Sequence, residues 1–326
     1  MQIINSTKAA SEMTAAQTGG DNQPQKSKVK NRQRISKNVF VTLMVALPVL
    51  HFCVFYLYAN FSSIMLAFQR LDKYGNYYFS MENFGQVFDS FASDSGMVRQ
   101  AVKNSLIFFC WNTFVILPLS MFFSFFFYKR IALKSFFRFM FFVPTIISGV
   151  AVTTMYKFML GNEGPVGVLW KLVFDLKVAP PFFSTEEYAM GTLLIYMLLT
   201  GFSGDILMIG GAMSRIPEET VEAAILDGIG MWKELFSITL PMIWPTLSTI
   251  IVTTAASVLC SSGPVLLLTA GAGSTYDISY YIYDKVQIQG QYGVPAALGL
   301  VLTVITFPIV MFTRWGVNKI YNDVEF

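Results

Sequence analysis

Apolar residues along this chain gather into long uninterrupted runs separated by shorter polar stretches, not into the alternation of a half-buried strand. Six runs reach the length a helix needs to cross a hydrocarbon core of about 30 Å. They cover roughly Val39–Phe61, continuing as helix towards Phe68, then Val102–Tyr128, Phe136–Leu160, Met190–Met213, Pro241–Leu268 and Val294–Trp315. Without water to bond the backbone, such runs satisfy their own N–H and C=O groups as helices. The pattern predicts an all-α membrane protein with six transmembrane helices. A polar and basic tail over residues 1–38 precedes a six-span domain over 39–316, and a short tail over 317–326 follows it.

Composition agrees. The 326 residues are 54% hydrophobic and only 13% charged, and the mean hydropathy is +0.53. Soluble domains carry roughly 25% charged residues, so too little polar surface remains to cover a water-soluble globule of this size. The 31 phenylalanines suit a surface that faces lipid. The net charge of +3 does not point to nucleic acid, and the expected surroundings are a lipid bilayer.

The distribution of charge orients the chain. Lys26, Lys28, Lys30, Arg32, Arg34 and Lys37 lie just before the first run, as cytoplasmic flanks of a span do. Lys129, Arg130, Lys134 and Arg138 follow the second span, Arg215 and Lys233 follow the fourth, and Arg314 and Lys319 flank the C-terminus. If six spans alternate, all these lie on one side, so both termini are expected in the cytoplasm. Arg99 and Lys103 fall on the other side, against the trend. The first run is longer than a signal-peptide core and sits behind nearly forty polar residues, unlike a secretory precursor.

Few residues offer chemistry. Cys53, Cys110 and Cys260 lie inside apolar runs and form neither a metal motif nor a disulfide framework. His51 is the sole histidine, read as making an interhelical hydrogen bond. No G-x-x-x-x-G-K-[ST] phosphate loop occurs, so no cofactor, metal site or catalytic residue is expected on this chain. Pro48, Pro118, Pro144, Pro245, Pro264 and Pro308 interrupt the runs, which membrane helices tolerate.

The most informative stretch is 214–241, S-R-I-P-E-E-T-V-E-A-A-I-L-D-G-I-G-M-W-K-E-L-F-S-I-T-L-P. Pro217 suits the first position of a helix, and Glu218 and Glu219 suit the positive end of its dipole. Val221, Ala224, Ile225 and Gly228 fall on one face, and Gly228 or Gly230 can end the helix in a left-handed turn. A second short helix, Met231–Ile238, is predicted before Leu240-Pro241 and the fifth span.

This stretch closely resembles the coupling loop of permeases from binding-protein-dependent ABC importers. The family pattern, E-A-A, three residues, G, nine residues, then I-x-L-P, is met by Glu222-Ala223-Ala224, Gly228, Ile238 and Leu240-Pro241, with Asp227 just before the glycine. Phe142-Val143-Pro144, Gly161-Asn162-Glu163-Gly164-Pro165, Gly263-Pro264, Leu268-Thr269 and Tyr292–Leu298 extend the likeness to the maltose and glycerol-phosphate branch, over most of residues 40–316. Pro295 and the alanines at 270 and 272 depart from that branch's glycine- and alanine-rich pattern.

The resemblance implies the type I ABC importer transmembrane fold, N-in and C-in, with a coupling helix between spans 4 and 5 docked in a cleft of an ATPase. It also implies a bacterial inner membrane, a second permease subunit (related, or a second copy), two ATP-binding subunits that hold ATP and Mg, and an extracytoplasmic solute-binding protein. Sugar is the expected solute class, an oligosaccharide first, with a polyol phosphate open. Candidate solute-path residues are Tyr196, Thr200 and the intramembrane acid Asp205 in the fourth span, with Ser257, Ser261 and Ser262 in the fifth. Sugars require hydroxyl-matching hydrogen bonds and flat aromatic surfaces, although such residues also serve simply to join helices. An ion-coupled transporter would favour paired intramembrane carboxylates or inverted repeats; a membrane enzyme would favour clustered His, Asp or Glu.

Overall fold

The computed structural model describes residues 39–72, 74, 76–92, 96–129, 134–259 and 264–320. The basic tail, Lys73, Arg130, Cys260, Ser261, Ser262 and Gly263 lie outside them. The chain divides into Met1–Ser63 and Ile64–Phe326, with the division inside the first helix.

In the first unit, helix α1 (Val39–Ala67) contains a π turn over Phe52–Tyr58. His51 contacts Phe55 on its own helix, centroid to centroid 4.7 Å. No hydrogen bond engages it among the described residues, contrary to the expected interhelical bond.

The second unit continues with a two-stranded antiparallel hairpin, β1 (Gln69–Leu71) and β2 (Tyr77–Phe79), in which Arg70 faces Tyr78. Then come α2 (Glu82–Ala92) and the long α3 (Met97–Tyr128). The expected third span is not one helix. Ser135–Ile146 and Gly149–Phe174 meet at 104°, dividing it into α4 (Lys134–Ile146), α5 (Gly149–Leu160) and α6 (Pro165–Phe174). Pro144 removes one backbone donor inside α4, and Ser148 is extended at φ −53°, ψ 131°, so the helical ladder stops there.

Helix α7 (Glu186–Met213) precedes α8 (Glu218–Leu226) and α9 (Met231–Ala256). A π turn over Val265–Thr269, then α10 (Ile278–Tyr283) and α11 (Gly293–Ile320), complete the chain. Among the described residues five helices are long and apolar enough to span, or six where the bent pair counts as one span. The fifth span begins ten residues before its expected start and stops at Ala256, so the separate short helix expected over Met231–Ile238 is the first two turns of α9. A π turn over Leu235–Thr239 widens the helix just ahead of Pro241, whose ring would clash with the carbonyl four residues back in a regular helix. The same pairing of a π turn with a following proline recurs at Asn112–Ile116 and Pro118.

Lipid supplies no hydrophobic drive between helices, so close packing and interhelical hydrogen bonds hold them. Trp111 Nε1 donates to the Leu194 carbonyl at 3.0 Å, Tyr156 Oη to Thr192 at 3.0 Å and Ser124 Oγ to Ile206 at 3.2 Å, all on α7. Trp244 Nε1 donates to Val317 on α11 at 3.1 Å. One buried cluster gathers Leu117, Phe125, Ile209, Met213, Leu235, Ile243 and Val317. Another, at the opposite end of α3, gathers Ala67, Val87, Ala101, Ile278 and Leu298.

Candidate functional site

Helix α7 ends where Ser214 Oγ turns back onto the Gly210 carbonyl at 2.8 Å. Pro217, extended at φ −58°, ψ 133°, sits just outside α8 and not within its first turn. Glu218 and Glu219 occupy that turn, where negative charge meets the positive helix end. Val221 packs against the cluster of Ile216 and Leu235, and Ala224 is buried.

Ile225 does not share that face as expected. It is exposed beside Leu226, which is 88% exposed, because the nine-residue helix leans on its neighbours by one edge only. Glu222, Ala223 and Asp227 are exposed with them. The outer side of α8 and its C-terminal cap therefore presents three small or acidic positions beside two large apolar ones.

The helix ends as the sequence foretells. Gly228 adopts φ +66°; its N–H bonds the Ile225 carbonyl, and the Ile229 N–H bonds Ala224, both at 3.0 Å. That is the Schellman arrangement, and it relies on glycine's freedom at positive φ.

Beyond Gly230 the segment is fastened to the second span. Lys129 Nζ lies 2.5 Å from Glu234 Oε2, and the Trp232 ring stacks on Phe122 at 5.6 Å. The Glu234 side chain is 4% exposed and that of Lys129 24%; the second carboxylate oxygen of Glu234 is buried without a partner among the described residues. Sequence reasoning missed this pair. It took Lys129 as a topology signal and did not single out Glu234, and no local pattern links positions 105 apart. Ile238 and Pro241 are half-buried in α9 with Leu240, which packs on the cluster around Leu235.

Of the solute-path candidates, Tyr196, Thr200 and Asp205 lie along α7 and Ser257 follows α9. Tyr196 is buried, its hydroxyl 2.8 Å from Thr153 Oγ1 on α5, and Thr200 Oγ1 donates to the Tyr196 carbonyl at 2.9 Å. Ser257 is exposed at the end of α9, where its hydroxyl bonds Thr254. Asp205 is half-buried and engaged by no hydrogen bond or ion pair among the described residues. Ser261 and Ser262 lie outside the described residues.

At the far end, the stretch 270–277 is a packed turn. Ala270, Gly271, Gly273 and Ser274 all have positive φ, and Asn104 Nδ2 donates to the carbonyls of Ser274 and Tyr276 at 2.7 Å each. Asp277 Oδ1 accepts from the Tyr280 N–H at 2.8 Å. Burial raises its carboxyl to about 6, and its other oxygen has no partner among the described residues.

Comparison with known proteins places this geometry. The family model described as binding-protein-dependent transport system inner membrane component matches residues 97–321. The alpha-glucoside transport system permease protein AglF of Rhizobium meliloti is 26% identical over 298 residues, covering 88% of this chain and 84% of that protein. The arabinooligosaccharides transport system permease protein AraP of Bacillus subtilis is 24% identical over 277 residues, covering 83% and 86%. A chain of a bacterial ABC transporter involved in the import of the acidic polysaccharide alginate has the same fold, with a TM-score of 0.76 at 20% identity, over 89% of this chain and 99% of that one.

Proposed function

As the chain belongs to the family of binding-protein-dependent transport system inner membrane components, we propose that it lines the membrane passage of an ATP-driven importer for a sugar, an oligosaccharide first. Residues 214–241 are the surface on which its ATP-hydrolysing partners act. The observation that carries this reading is α8 itself: a short helix at the end of two spans, closed by a left-handed glycine, with Ala223, Ile225 and Leu226 turned outward.

A loop that must seat in a groove of another protein needs small residues for close approach and apolar ones to bury. Lys129–Glu234 and Trp232–Phe122 tie the segment to α3, and α9 continues from it unbroken. A push on α8 is thereby delivered to two spans as a rigid-body displacement.

Sugar as the solute rests on the relatives' names, those of alpha-glucoside and arabinooligosaccharide permeases. The partners on this reading are a second permease subunit, two ATP-binding subunits and an extracytoplasmic binding protein. A related-fold transporter has been captured with an alginate pentasaccharide-bound periplasmic protein. With the coupling segment in the cytoplasm, the Trp244 bond to Val317 supports a cytoplasmic C-terminus, in a bacterial inner membrane.

The test is affinity purification of the tagged chain from its native membrane in mild detergent, with mass spectrometry of what accompanies it. A Walker-motif ATPase and a second permease are expected, and Ala223→Glu should lose the ATPase while keeping the permease. Recovery of the chain alone in good yield, or an ATPase that stays bound to Ala223→Glu, would overturn the assignment.

A further inference from the structure

Helix α3 ends beside Glu234, so its beginning, the β1–β2 hairpin and the start of α11 lie at the end opposite the coupling segment. A cleft of about 460 Å³ opens there between the end of α1, the hairpin, α2 and residues 290–294. Its volume falls in the range of about 300–1,000 Å³ usual for small-ligand sites.

The walls are built. Asn83, 3% exposed, donates through Nδ2 to the carbonyls of Ala67 at 3.0 Å and Gln69 at 2.9 Å, fastening the hairpin to α2. Gly293 lies so close that a Cβ there would meet Asn83 Nδ2 at 2.7 Å, which fixes the start of α11 against the same side chain. Three segments distant in sequence thus converge on one buried amide.

The lining mixes polar and apolar side chains. Among the described residues Arg70 is the one ionisable side chain lining the cleft, apart from tyrosine, and it is paired with Glu82. Gln69, Gln86 and Gln291 line the cleft, and no hydrogen bond engages their carboxamides among the described residues. Each offers donors and an acceptor side by side, which neighbouring hydroxyls on a sugar ring can match. Tyr77 and Tyr292, 62% and 56% exposed, stand at the rim with flat faces available to a sugar's C–H surface.

From this we infer that the cleft is a binding site for a neutral, hydroxyl-rich saccharide, distinct from any passage between permease subunits. A neutralised arginine among free carboxamides disfavours a polyanionic sugar, since no uncompensated cation lines the cleft among the described residues. That this end faces outward rests on the coupling reading above; the cleft and its chemistry do not.

The site is tested on the full chain in lipid nanodiscs, without binding protein or ATPase, so that its outcome is independent of the importer reading. Saturation-transfer-difference NMR is recorded with maltotriose, cellobiose and raffinose, and with trigalacturonate as the acidic counterpart. Transfer to at least one neutral sugar is expected, reduced fivefold or more by Gln86→Ala combined with Gln291→Ala, and also lowered by Gln291→Ala alone, an exposed loop position with no structural bond to lose.

Absence of transfer to all three neutral sugars, or transfer that the variants leave unchanged, overturns the site. Stronger transfer to trigalacturonate overturns its neutral preference. If the variants spare the sugar signal but weaken stimulation of the assembled transporter by its binding protein, the cleft is a protein-docking surface and the proposal is wrong.

Discussion

Breaking the Lys129–Glu234 pair from either side should give unequal losses, and the inequality follows from burial. Removing one partner of a buried ion pair costs about 3–5 kcal/mol, chiefly because the other charge is left without compensation. Glu234 is 4% exposed and already has one oxygen without a partner among the described residues, whereas Lys129 is 24% exposed at the end of its span. Lys129→Met therefore strands a carboxylate with no route to water, and should cost the full ~3–5 kcal/mol. Glu234→Gln strands an ammonium on a long stem that can swing towards the interface, so about 1–2 kcal/mol is expected.

The exchanged pair Lys129→Glu with Glu234→Lys should recover part of the loss, the longer lysine now starting from the more buried site. The assay is unfolding of the purified chain by dodecyl sulfate titration in mixed micelles, run as a double-mutant cycle. In the assembled transporter, Glu234→Gln should also lower the solute moved per ATP hydrolysed, which a merely structural weakening would not change. A coupling energy below about 0.5 kcal/mol, or a Glu234→Gln loss at least as large as that of Lys129→Met, would refute the claim that this contact fastens the segment to α3.

Three further outcomes are expected. A Cβ at Gly164 would overlap the Phe158 carbonyl oxygen, and one at Gly167 the Gly161 carbonyl, while one at Gly191 meets nothing within 4 Å. Alanine at 164 or 167 should thus sharply reduce the monodisperse fraction on size-exclusion chromatography, and alanine at 191 should leave it unchanged or raise stability by about 0.5–1 kcal/mol. Gly228→Ala has open space around it but φ +66°, so a loss of about 1–2 kcal/mol is expected, with Gly228→Asn milder; both are read from ATPase retention on heating. Asp277 titrates near 6 when folded, above its unfolded value, so the folded state binds its proton more tightly. That contribution is full below about pH 4 and is lost as pH rises through 6. Tm should fall between about pH 4 and 6 and level off above that, and Asp277→Asn, whose amide oxygen still accepts from Tyr280, should flatten that fall.

The local features were legible because their causes are local. Helical hydrogen bonds close within four residues, so run length alone located the spans, and the spaced glycine and flanking residues of 214–230 determined a short helix with a left-handed end. Ile225 shows the limit: periodicity placed it on one face with Val221 and Ala224, but how much of that face is buried depends on what the nine-residue helix leans on. The break in the third span was likewise hidden, since Pro144 kinks one helix and spares another according to what its neighbours supply. Pro245 and Pro308 sit inside unbroken helices.

Side chains that join helices carry no periodic mark at all. In lipid the outer and inner faces of a span are both apolar, so hydrophobic pattern cannot say which face packs. The sequence by itself therefore determined the long apolar helices, and the short helix Glu218–Leu226 with its glycine turn. Only the tertiary structure decided that Lys129 meets Glu234, that Tyr196 spends its hydroxyl on Thr153, and that Gln69, Gln86 and Gln291 converge on one cleft. Contacts between positions far apart in the chain are set by helix placement, and local sequence holds no record of them.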